Sequence, residues 1–157
     1  DSSRTAITIN GAGLFVFGGP SIDTGVKGKK DSDAAYGNLI GHTGGSAYGK
    51  DGTKLDLHGL MGAREAAKRL VVGHFEHAAR VELSYIMGQE EPAISINHFG
   101  SSKLSEAELT DIIRKEIDLT PAGVISRLGL RNPDIYPALA RSFFGNNKPL
   151  LPLHRNL

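Results

Sequence analysis

Apolar residues fall at Leu57, Leu60, Met61, Ala67, Leu70, Val71 and Phe75. Steps of three and four predict a helix from Leu57 to about Ala78. The period then changes to two. Val81, Leu83 and Tyr85 alternate with Glu82 and Ser84, and after the turn signal Gln89-Glu90-Glu91-Pro92, Ile94, Ile96 and His98 alternate with Ser95 and Asn97. Two half-buried strands are expected there. Ser105 with Glu108 forms a capping box that opens a helix running through Ile117. Thr120-Pro121 sets up a further helix start, with an N-cap residue followed by proline at the first helical position. After Pro133 the pattern weakens, and Pro149 to Leu157 reads as an extended tail. At the other end, Thr5 to Ile9 and Leu14 to Phe17 are short strand-like runs around Asn10-Gly11-Ala12-Gly13, which predicts a hairpin.

Strands and helices in this order predict an α+β fold: one open mixed β-sheet with helices on one face. No second layer is visible to cover the other face. At 157 residues, one domain over 1–157 is expected. Between the hairpin and the long helix, residues 18–56 hold ten glycines, five lysines and five aspartates with few large apolar side chains. This reads as a long ordered loop, and a loop of that length inside a compact domain is usually functional.

Composition sharpens the picture only locally. The net charge of +1 argues for neither nucleic acid nor membrane. With no cysteine, disulfides, zinc-thiolate sites and thiol catalysis are excluded, and a reducing compartment is consistent. No apolar run reaches membrane-spanning length, and the start does not read as a signal peptide. Inside the loop, however, Lys27, Lys29, Lys30, Lys50 and Lys54 cluster among glycines, with Asp23, Asp51 and Asp56 interleaved. Glycines let backbone N–H groups turn toward an anion, and lysines supply compact cations. Magnesium on a triphosphate takes one or two carboxylates besides phosphate oxygens and water. The combination therefore suits a magnesium-triphosphate better than bare nucleic acid, which calls for stacking aromatics and a larger basic excess. A solvated, charge-balanced surface loop is the alternative reading of the same composition.

Gly44 to Lys50 has Walker A spacing, but Asp51 stands where a magnesium-binding Ser or Thr is required, and no helix opens directly after it. That reading is rejected. Six histidines are scattered (His42, His58, His74, His77, His98 and His154), with no pair at convincing metal spacing.

Phe15-Val16-Phe17-Gly18-Gly19-Pro20 followed by Asp23-Thr24-Gly25 resembles the start of the C-terminal domain of the S-adenosylmethionine synthetase (methionine adenosyltransferase) family. The likeness continues in order through Lys29-Lys30, Tyr36-Gly37, His42 to Gly45, Gly49-Lys50-Asp51 and Thr53-Lys54-Leu55-Asp56. It runs on through Ala63-Arg64, Leu83-Ser84-Tyr85, Glu91-Pro92, Phe99-Gly100, Asp118-Leu119 and Phe144-Gly145. The resemblance implies a cytoplasmic transferase that uses ATP and methionine with magnesium and potassium. It implies that Phe15 stacks on adenine and that Asp23 holds adenosine or methionine. Lys29, Lys30 and Lys50 become the candidate catalytic residues, gripping the phosphates. Lys54 stands beside phosphates and methionine, and Asp56 is a magnesium ligand. It further implies oligomers formed through the sheet face.

The family's catalytic histidine, a further magnesium aspartate and the active-site lid belong to its N-terminal parts, which nothing here matches. A partner polypeptide supplying them is therefore expected. Departures from the family pattern include Leu14 and Lys29 in place of arginines, Lys27 in place of a threonine, Leu57-His58 in place of an Arg-Ser pair, and Met87 in place of a smaller branched residue. They leave a second expectation open: a catalytically degenerate domain that regulates or scaffolds a partner. A stand-alone ATP- or polyphosphate-binding protein is the third.

Overall fold

The computed structural model describes residues 3–23, 49–73 and 77–141. Helix α1 spans Leu55–Gly73, strand β1 Arg80–Ser84 and strand β2 Ala93–Asn97. Helices α2 (Glu106–Glu116) and α3 (Pro121–Arg127) follow, then a single 3-10 turn at Pro133–Ile135 and helix α4 (Tyr136–Arg141). The class is α+β, with an open sheet and helices on one face.

β1 and β2 pair antiparallel, with Val81 opposite Ile96 and Leu83 opposite Ile94. A period of two puts these four apolar side chains on one face, where α1 packs against β1 and α2 against β2. The other face carries Arg80, Glu82, Ser84, Ala93 and Ser95, all exposed. Leu57, Met61, Leu70, Ile96, Leu109, Ile113 and Val124 are fully buried and bind the layers together.

The predicted helix starts are present. Ser105 caps α2 reciprocally with Glu108, and Ile117 is its C-cap. Thr120 caps α3 through its side chain, with Pro121 in the first turn. Glu108 and Asp118 are held below the usual carboxylate range, Glu108 by the Ser105 N–H and hydroxyl, Asp118 by the Thr120 hydroxyl and N–H. A lowered folded-state pKa gives stability that is complete above the unfolded value and lost as pH falls. Thermal melts are accordingly expected to fall below about pH 4, less steeply in a Ser105→Ala, Thr120→Ala double variant.

The predicted N-terminal hairpin is present only as its turn. Asn10 and Gly13 adopt positive φ, and the Gly13 N–H donates to the Asn10 carbonyl at 2.8 Å. The flanking runs form no strands: Ile7, Ile9, Leu14, Val16 and Phe17 are all more than two-thirds exposed. Among the described residues no layer stands against their apolar side, and a two-stranded ribbon without one is marginal on its own. The turn instead presses on the β1–β2 connection, where a side chain on Gly11 would meet the Met87 carbonyl oxygen at 2.3 Å.

Candidate functional site

The described end of the lysine-rich loop is a tight turn leading into α1. The Lys54 N–H donates to the Asp51 carbonyl at 3.1 Å, closing a four-residue turn with Gly52 and Thr53 at its corner. Asp51 Oδ1 accepts the Thr53 N–H at 2.9 Å and the Thr53 hydroxyl as well. Those bonds, helped by the Lys54 charge, hold the Asp51 carboxyl below its ordinary range. The Lys54 carbonyl then accepts from the N–H groups of Leu57 (3.0 Å) and His58 (3.1 Å), which starts the helix two residues ahead of the predicted Leu57.

Asp56 lies in the first turn of α1, where the helix dipole favours a carboxylate. Its Oδ2 accepts a hydrogen bond from the Lys50 ammonium. The turn therefore brings Lys50, Asp51, Lys54 and Asp56 onto one corner of the fold, alternating in sign. This corner is anchored from beneath. Gly52 is buried against Leu130, and His58 Nδ1 lies 3.1 Å from the Gly52 carbonyl oxygen. His58 also meets the Tyr85 ring edge-on, with centroids 6.0 Å apart. The Tyr85 hydroxyl donates to the Leu119 carbonyl at 2.8 Å, and burial pushes its pKa up to about 12.

A β-carbon on Gly52 would stand 2.5 Å from both the Cβ and the carbonyl oxygen of Leu130. Backbone cannot yield as a flexible side chain can. Gly52→Ala is expected to cost about 1–3 kcal/mol, read as a lower urea midpoint with an unchanged slope.

Of the other sequence-predicted residues, Phe15 is 71% exposed on the segment after the N-terminal turn, and Asp23 is exposed at the end of that segment. Lys29 and Lys30 lie outside the described residues. The corner thus unites Lys50, Lys54 and Asp56, while Phe15 and Asp23 stand on a separate stretch. His58 and Asp51 were not assigned roles by sequence. The signal available for His58 was its phase: it shares the helical stripe of Met61, Gly62 and Glu65, which is buried.

The family model described as "S-adenosylmethionine synthetase, C-terminal domain" matches residues 17–152. The chain belongs to the S-adenosylmethionine synthetase family. It is similar to the curated S-adenosylmethionine synthases of two strains of Staphylococcus epidermidis, at 42% identity over 150 residues in each case. That match covers 95% of this chain and 38% of the relative. The chain thus spans well under half the length of the synthetases it matches. The family match begins at Phe17 and takes in the whole lysine-rich loop, so the corner built by Lys50, Lys54 and Asp56 lies inside the family's C-terminal domain.

Proposed function

We propose that this chain forms part of a methionine adenosyltransferase making S-adenosylmethionine from ATP and methionine, and that residues 1–157 act in it as one domain. Its share of the work is to hold the triphosphate and its magnesium. The observation that carries this reading is the corner at the start of α1: two lysines and a helix-start aspartate, fixed on a buried glycine turn within a synthetase-family domain.

The donor set was weighed against the metal. Among the described residues no group of three or more acidic, histidine or cysteine side chains is gathered for a metal ion. A resident, protein-caged metal does not suit the corner. Magnesium carried by a triphosphate does, because it needs only one or two carboxylates and draws its other ligands from phosphate and water. Asp56 would take that role, and bound magnesium would supply neutralisation of the growing triphosphate charge. Lys50, whose ammonium pairs with Asp56 here, would hold the phosphates. Lys54 adds a second cation, and Lys29 and Lys30 would complete the set. Such cations act by stabilising charge that develops as the triphosphate leaves. Phe15 would take the adenine and Asp23 the adenosine or methionine. Potassium enters this reading from the family alone.

A polypeptide carrying the remaining parts of the site is the expected partner, meeting this chain through the exposed sheet face as a homo- or hetero-oligomer, in the cytoplasm. Neither nucleic acid nor a membrane is a partner in this reading.

The test is a chimera in which this chain replaces the matched region of the Staphylococcus epidermidis synthase. Product is followed by mass spectrometry with ATP, methionine, magnesium and potassium. Formation of S-adenosylmethionine that depends on Lys50 and Asp56 supports the reading. A chimera that assembles fully but makes no product favours the second reading, a degenerate domain that scaffolds or regulates. That second reading is motivated by Leu57 and His58, which follow Asp56 and turn inward to the core.

A further inference from the structure

We propose that His58 is a positioning residue for the polyphosphate corner, a proposal that rests on the reading of that corner given above. His58 is 3% exposed and sits one turn into α1. Its Nδ1 lies 3.1 Å from the Gly52 carbonyl oxygen. A carbonyl only accepts, so this bond assigns the ring proton to Nδ1. Nε2 is then a buried lone pair, and among the described residues it has no hydrogen-bond partner.

A stranded buried acceptor destabilises a fold. Volume alone is therefore a poor reason for an imidazole at this position, since leucine fills similar space with no polar atom. What the imidazole supplies is the Nδ1–H donor. Its target is well placed: Gly52 is the corner residue of the turn, with Lys50 two residues before it and Lys54 two residues after. Holding the Gly52 carbonyl fixes the peptide plane between Gly52 and Thr53. That plane sets the directions in which the chain leaves toward Lys50 and toward Lys54 and Asp56. Leu130 presses on the turn from one side, and the Thr53 N–H at the other end of this peptide donates to the exposed Asp51 Oδ1 at 2.9 Å, so His58 supplies the hold on the carbonyl end from the buried side. The ring in turn is held edge-on by Tyr85, whose hydroxyl is tied to the Leu119 carbonyl. A continuous chain of contacts therefore runs from the core to the corner: Leu119, Tyr85, His58, Gly52. A fixed supporting group of this kind is how a binding constellation keeps its geometry.

The experiment compares the full chain with His58→Leu and His58→Asn, using magnesium tripolyphosphate in titration calorimetry, thermal melts, and hydrogen exchange at the Thr53 and Lys54 amides. Leucine keeps the volume and removes the donor. Asparagine offers an N–H near the place of Nδ1–H and removes the stranded Nε2. Expected for His58→Leu is binding weakened by about tenfold or more, with faster exchange at Thr53 and Lys54 and a melting temperature no lower than that of His58→Asn. Expected for His58→Asn is binding within about threefold of the parent and parent-like exchange. Parent-like binding by His58→Leu overturns the proposal, and so does equal weakening in both variants. Should His58→Leu fail to fold, His58→Asn decides: weak binding with fast exchange overturns the proposal, and parent-like values uphold it. Should the parent chain bind no magnesium tripolyphosphate, the functional reading fails instead. The exchange rates then judge the anchor separately, since fast exchange confined to His58→Leu upholds it and equal rates in all three overturn it.

Discussion

Glu65→Ala is expected to destabilise the chain by about 3–5 kcal/mol, the largest effect of any single substitution outside the apolar core. Glu65 is 2% exposed in the middle of α1. Its two oxygens accept from Arg127 Nε at 3.1 and 3.0 Å and from Arg127 Nη2 at 2.9 Å. Arg69, one turn along the same helix, donates to it at 3.1 Å. Arg127 continues through Nη1 to the Asp118 carbonyl at 2.8 Å, so one guanidinium ties α1 to the segment that opens α3. Removing the carboxylate leaves two part-buried guanidinium groups facing an empty site. The loss comes from those uncompensated charges and not from the worth of the pair as such. A Glu65→Leu, Arg127→Met double substitution is therefore expected to recover most of the stability lost by Glu65→Leu alone. Urea unfolding of the two singles and the double gives the coupling directly. Simple additivity would overturn this account.

Lys50→Ala is expected to do the reverse, with a small effect on folding and a large one on chemistry. The Lys50 and Asp56 side chains are 29% and 39% exposed, so their ion pair contributes no more than about 0–1 kcal/mol. A cation aimed at charge that develops in the transition state is worth about 10²–10³-fold in rate. In the chimera with the Staphylococcus epidermidis synthase, Lys50→Ala should slow product formation by that factor while leaving the urea midpoint nearly unmoved. Lys50→Arg should recover only part, because a planar guanidinium does not stand where a compact ammonium does. An unfolding free energy lowered by several kcal/mol, or an unchanged rate, would overturn this expectation.

The two cases differ in how far they could be read along the chain. Lys50 and Asp56 could be singled out as candidates because glycine-rich, charge-alternating sequence is distinctive, and because the ordered set of short matches to the synthetase family surrounds it. Glu65 was not. Along α1 the apolar pattern counted Leu60, Ala67 and Val71, which are only half-buried. The face that enters the core also uses Gly59, Gly62, Ala66, His58 and Glu65. Small residues there let helices approach closely: a side chain on Gly62 would meet Val124 at 3.1 Å. A glycine, a paired glutamate and a core histidine carry no hydrophobic signal. Their burial is decided by partners 62 residues away, as for Glu65 with Arg127.

What the sequence determined by itself is everything governed by near neighbours. The β1–β2 alternation, the Ser105–Glu108 box, the Thr120-Pro121 start and the turn at Asn10 to Gly13 all follow from residues a few positions apart. The α+β class follows from their order. Tertiary structure decided the rest. It left the runs beside the N-terminal turn out of any strand, since among the described residues no layer covers them. It pressed Gly52 onto Leu130 and set His58 beneath it, because only packing brings the first turn of α1, the Tyr85 ring and the Leu119 carbonyl into one line. Local rules specify which elements form. The direction in which a charged corner points depends on contacts between elements, and those depend on shapes and partners distant along the chain.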